Sequence, residues 1–133
     1  PHGITPFGVE ALMALRIEKG FLHVGSDTDG TTMPQDVGFG GAVAKKPDDF
    51  IGRRSTMTPE GLRTDRRQLV GLETLDAGAA FACGAHIVDE KTKGIGATQG
   101  WVTSSVQSPT LGRPLAMALV ERGTARIGET VEV

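Results

Sequence analysis

From Arg66 onward the chain breaks into short apolar stretches divided by turns, and this pattern limits its fold more than any other feature. Residues 69–75, 80–88, 94–105, 115–121 and 130–133 alternate with segments that carry Gly or Pro. Several short strands at such spacing predict an antiparallel barrel or sandwich. Glycine occupies 19 of the 133 positions and asparagine none, so Gly and Asp must supply nearly all the positive-φ turn positions.

Before residue 66 the pattern is mixed. Thr5 is a suitable helix cap, Pro6 suits a first helical position, and Gly20 suits a stop. Between them Val9, Leu12, Met13 and Leu15 form an apolar stripe at helical spacing. Arg16 lies at the edge of that stripe, where a charge needs a partner. Glu10 and Glu18 are internal candidates. Residues 21–25 read as a short strand, 26–34 as a polar loop, and 37–43 as a glycine-rich extended segment. Asp48 and Asp49 introduce a short helix through Phe50, Ile51 and Arg54. The fold class expected is α+β, with an α+β segment over 1–57 and an antiparallel barrel over 58–133.

Charge and cysteine content narrow the function classes. Fourteen Lys and Arg face sixteen Asp and Glu, for a net charge of −2. That balance gives no electrostatic reason to expect nucleic acid or an anionic membrane as partner. One cysteine allows no internal disulfide and no multi-cysteine metal site. No apolar run approaches the roughly 20 residues of a membrane-spanning helix, and a reduced cytoplasmic setting is the simplest expectation. A first residue of Pro1 rather than Met reads as a cut or processed end.

Several motifs invite chemistry and fall short. GIGATQG (94–100) puts Gln99 where a dinucleotide fingerprint needs its third glycine, and Trp101, Val102 and Thr103 follow as a strand would. DTDG (27–30) begins like a calcium loop, but its twelfth position is Gly38 instead of glutamate, so a turn held by Asp side chains is expected. His2, His23 and His86 are scattered, with no second ligand at metal spacing. Cys83, in AFACGAH, reads as a buried, inert thiol, and Trp101 as a packing residue. Arg53 and Arg54, then Arg63, Arg66 and Arg67, form two basic clusters. They read as solvated helix ends, or as recognition elements for a carboxylate-bearing ligand.

Longer segments carry a resemblance. GVEALMALRIEKG (8–20), GSDTDGTTMPQDVGFG (25–40), DFIGRRS (49–55), RRQLVGL (66–72) and GWVTSSVQSPTLGRPLAMALV (100–120) resemble, in order, the aminomethyltransferase (glycine-cleavage T-protein) superfamily. Within it, RIEKG with DTDGT, and KPDDFIGRRS with DRRQLVGL, are most similar to alpha subunits of heterotetrameric sarcosine oxidase. Dimethylglycine oxidases and dehydrogenases are close relatives.

The resemblance implies the end of a folate-binding α+β fold followed by a small C-terminal antiparallel β-barrel. It implies tetrahydrofolate as ligand, capturing the one-carbon unit released on sarcosine oxidation as 5,10-methylenetetrahydrofolate. FAD, FMN and NAD would bind elsewhere in the parent complex. The family's acidic residue lies upstream, so no catalytic residue is expected here. Arg16 matches an arginine placed to meet the glutamate tail, and Arg66 and Arg67 fall near another family arginine. Relatives often carry Trp where this chain has Gly41, and Phe39, two residues earlier, is the ring expected to substitute for it. Implied partners are the rest of the parent alpha subunit, the other sarcosine oxidase subunits and, through exposed apolar surface, further copies of the chain. A non-enzymatic assembly module and part of a T-protein-like aminomethyltransferase are the alternatives.

Overall fold

A computed structural model describes residues 2–76, 78–89 and 95–133. Three helices come first: α1 (Val9–Lys19), α2 (Gly40–Ala44) and α3 (Arg53–Thr56). Four strands follow: β1 (Arg67–Glu73), β2 (His86–Val88), β3 (Thr98–Gln107) and β4 (Pro114–Glu121). They form one antiparallel sheet in the order β1-β4-β3-β2. The mixture of helices and antiparallel sheet is the α+β class expected, but among the described residues the sheet is open, with β1 and β2 at its edges.

β4 explains the shape of the core. Its sequence PLAMALVE is apolar at successive positions, so it can be buried on both faces, and Leu115 to Val120 are all buried. Leu115 and Met117 pack with Leu69, Val106 and Ile17 of α1 on one face. Ala118 and Val120 pack with Ile87, Val70, Leu72 and Val131 on the other. Each large side chain so buried contributes about 1.5–3 kcal/mol. Gly100 of β3 has no room for a side chain, because a Cβ there would lie 1.9 Å from the carbonyl oxygen of Leu119. A register shift between Val102 and Ser104 makes Thr103 the extra residue of a β-bulge opposite β4.

The amino-terminal half departs from expectation in local detail. Helix α1 starts at Val9 with Gly8 as its cap, so Thr5 and Pro6 lie outside it; Gly20 ends it as expected, at φ 74°. Its stripe is turned from the face expected: Ile17 is buried, whereas Val9, Leu12 and Leu15 are exposed. Residues 21–25 are not a strand, because the Asp27 carboxylate accepts the His23 N–H and curls the segment into turns. Residues 37–43 are not extended. A 3-10 turn (Pro34–Val37) runs through Gly38 at φ 84° into α2, held by the Asp36 carboxylate on the Met33 N–H. The helix expected through 50–54 begins only at Arg53, after Gly52 at φ 95°.

Two strands are shorter than the pattern predicted. Only His86–Val88 of the 80–88 stretch forms a strand, with Gly84 and Ala85 bonded to the Val102 backbone just before it, and 130–133 contributes a single bridge, Val88 to Glu132. Gly94, which opens GIGATQG, lies outside the described residues. Ile95–Ala97 form a 3-10 turn that leads into β3, in place of a phosphate-binding helix.

Candidate functional site

Helix α1 is fastened to the sheet by two of its own charges. Arg16 forms an ion pair with Asp27, whose side chain is wholly buried, and donates to the Ser104 hydroxyl. Asp27 also accepts from the His23 N–H and from the hydroxyls of Thr103 and Ser104. Thr103 is the bulged residue, so the irregularity in β3 aims a hydroxyl at the buried carboxylate. Burial works to raise the Asp27 pKa, but the bonds from Thr103, His23 and Ser104 and the charge of Arg16 outweigh it and hold the carboxyl below its ordinary value. Two residues on, Glu18 accepts from Ser108 and from the hydroxyl and N–H of Thr110 in the β3–β4 turn, which lowers its pKa.

A second buried pair ties the 31–36 segment to the start of β1. The Arg66 guanidinium bonds both oxygens of Asp36 at 2.7–3.0 Å, the Thr31 carbonyl at 2.7 Å and Glu60 at 3.0 Å. Asp36 is 3% exposed. Its hydrogen bonds hold the Arg66 pKa above the ordinary arginine value. Arg63 is engaged in the same way on the surface, with Asp65 and Glu60, and Asp65 is pulled down to about 2 by the Arg63 hydrogen bond.

Arg67 is different. Its side chain is 41% exposed, its ion pair with Glu121 is a loose 3.6 Å, and its guanidinium lies over the Trp101 ring at 4.9 Å from the centroid. Arg66, Arg67 and Trp101 line one cleft of about 370 Å³, with Asp36, Glu60, Arg63 and Glu121 among its walls. Trp101 therefore serves as a platform for a cation as well as a packing residue. Arg16 lines a separate cleft of about 390 Å³ with Met13, Ser104 and Val106. Phe39 caps α2 and is 53% exposed, lining neither.

Of the four residues read together as ligand contacts, the structure brings Arg66 and Arg67 to one cleft and leaves Arg16 and Phe39 apart from them. The internal partner of Arg16 is Asp27, not Glu10 or Glu18. Asp29 makes the side-chain turn expected of DTDG, accepting from Thr31 and Thr32. Asp27, read as part of the same turn, instead enters the core. Cys83 is exposed, with Sγ 3.5 Å from the Ser105 hydroxyl, and is not the buried thiol expected. Its apolar neighbours in sequence lie in an irregular stretch that packs only partly. Among the described residues no group of three or more His, Cys, Asp or Glu could hold a metal, and no helix is long and apolar enough to cross a membrane.

Two family models match the chain: the glycine cleavage T-protein C-terminal barrel domain over residues 67–133 and the GCVT N-terminal domain over 1–47. The chain belongs to the glycine cleavage T-protein, or aminomethyltransferase, family. It is 46% identical to the sarcosine oxidase subunit alpha of Corynebacterium sp. (strain P-1), over 97% of this chain and 14% of that protein. It is also 46% identical to the subunit alpha of Rhizobium meliloti (strain 1021), over 99% of this chain and 13% of that protein. An aminomethyltransferase of Prochlorococcus marinus (strain NATL1A) is 35% identical, over 98% of this chain and 34% of that protein. The chain thus spans a small part of the length of its sarcosine oxidase relatives.

Proposed function

We propose that this chain is the C-terminal wall of a tetrahydrofolate-binding unit in a sarcosine oxidase alpha-like subunit, composed of an α+β part (1–57) and a barrel part (58–133). The observation that carries this reading is the 46% identity to such subunits along nearly the whole chain, against 35% to an aminomethyltransferase. The geometry fits it in one respect. Arg67, held over Trp101 beside a cleft of about 370 Å³, offers a planar guanidinium whose own ion pair is loose. Such a group suits a carboxylate, and the cleft is large enough for a glutamate tail but small for a whole folate.

In this reading Arg67 meets the tail, and Phe39 offers an exposed ring to the ligand. Arg16 and Arg66 shape the walls through Asp27 and Asp36. Tetrahydrofolate supplies the nitrogens that accept a one-carbon unit, and this chain contributes position and orientation to it. Sarcosine oxidation, the FAD, FMN and NAD sites, the partner subunits and a cytoplasmic location belong to the parent assembly in this proposal. Engagement of Arg16 and Arg66 in internal pairs favours one second reading, an assembly module that holds no ligand of its own.

Calorimetric titration with tetrahydrofolate separates the two. The ligand-wall reading predicts saturable binding that weakens about tenfold in Arg67→Ala, as for loss of one charge-assisted contact. No heat of binding with the folded chain would leave the assembly module as the better reading.

A further inference from the structure

The two edges of the sheet are managed differently. Edge strand β2 has three residues, a register irregularity at Ile87–Val88 and a bridge to Glu132. Such features blunt an edge against pairing with another chain. Edge strand β1 has seven residues, pairs with β4 without a register shift, and contains no Pro or Lys. Among the described residues its backbone bonds run to β4, and the bond from the Arg122 N–H to the Arg66 carbonyl continues that same ladder past the start of the strand. From Leu69 to Glu73 the outer edge is therefore an open template.

The β1 sequence, RQLVGLE, is complementary to itself when reversed. An antiparallel pairing of two copies about a two-fold axis at Val70 sets Arg67 opposite Glu73 at both ends. Within one chain Arg67 already stands opposite Glu121, and Glu73 pairs with Arg113 at 2.6 Å. The new pairing would join these into a row of alternating sign: Glu121, Arg67, then Glu73 and Arg113 of the second copy. Shifting the register by two residues sets Arg67 against Gly71 or Leu75 and loses both ion pairs.

We propose that β1 is a self-recognition edge, through which a second copy of this chain adds antiparallel about Val70 to form one eight-stranded sheet. This is an isologous contact, so each copy gives and receives the same residues. It shares Arg67 with the folate reading but stands apart from it in the test, which reads association of the chain with no ligand present.

The test is sedimentation velocity of the chain and of two charge variants, Arg67→Glu and Glu73→Lys, with circular dichroism to confirm that each is folded. The chain is expected to show a monomer–dimer equilibrium, and each variant alone to dimerise about tenfold more weakly, since like charges then face each other twice. An equimolar mixture of the two variants is expected to recover dimer, because every facing pair is again of opposite sign. Disruption of the pairs within one chain would not be reversed by mixing, so recovery reports on the interface itself. A monomer at every concentration, or a dimer that the variants leave unchanged and Leu12→Glu on the exposed face of α1 abolishes, would overturn the proposal.

Discussion

Arg16 of α1 and Asp27 of the following loop form an ion pair whose carboxylate is wholly buried, and the bulge of β3 completes its coordination through Thr103 and Ser104. The pair joins the amino-terminal segment to the sheet beside the contact of Ile17 with Leu115 and Met117. Removing one partner leaves the other buried without its counter-charge. Asp27→Ala is therefore expected to lower stability by about 3–5 kcal/mol. The double variant Arg16→Met, Asp27→Leu is expected to recover much of that loss. Urea unfolding of Arg16→Met, Asp27→Leu and the double variant that combines them, followed by circular dichroism, measures the coupling.

The same carboxylate sets a pH dependence. The Asp27 pKa is held below the unfolded value near 3.8, so its contribution is fully present above that value and is lost as pH falls through the folded value. Asp65, held at about 2, acts in the same direction from the surface. The urea midpoint is expected to fall steadily as pH is taken from about 5 to about 2. Asp27→Asn removes part of that slope, so a variant with the full slope would remove Asp27 from this role.

Two glycines give opposite expectations. Gly100→Ala would drive a Cβ to 1.9 Å from the Leu119 carbonyl and is expected to cost about 3 kcal/mol or more. Gly41→Ala, in α2 with open space around it and an ordinary φ, is expected to stabilise by about 0.5–1 kcal/mol. Thermal unfolding of the pair checks both.

How much of this could be read from residues depended on where the interactions close. The strand-rich second half was legible because PLAMALVE and TQGWVTSSVQ carry their own period and composition. Barrel closure was not legible, since the pairing of 80–88 and 130–133 depends on distant edges and not on local propensity. The Arg16 side chain announced a need for a partner, but Asp27 hid inside a motif with a sufficient local explanation as a turn. Its true partners, Thr103 and Ser104, are more than seventy residues away in sequence. Residues 21–25 and 37–43 looked extended for the same reason: Asp27 and Asp36 capture backbone N–H groups and curl the chain against its apparent preference.

The single tryptophan reports on the cleft. Trp101 is the only Trp in the chain and lies under Arg67. Arg67→Ala is expected to change its emission while lowering stability by no more than about 1 kcal/mol, as for an exposed cation–π pair. Fluorescence together with urea unfolding measures both, and a loss of several kcal/mol would make Arg67 a structural residue instead of a ligand-facing one.

Hydrogen exchange with and without tetrahydrofolate, read by peptide mass spectrometry, tests the folate wall most directly. If the chain holds the ligand tail at Arg67, tetrahydrofolate will slow exchange in peptides covering 29–36, 60–68 and 99–103, and the Arg67→Ala chain will show much less protection. Unchanged exchange at saturating ligand, or protection confined to segments away from that cleft, would contradict it.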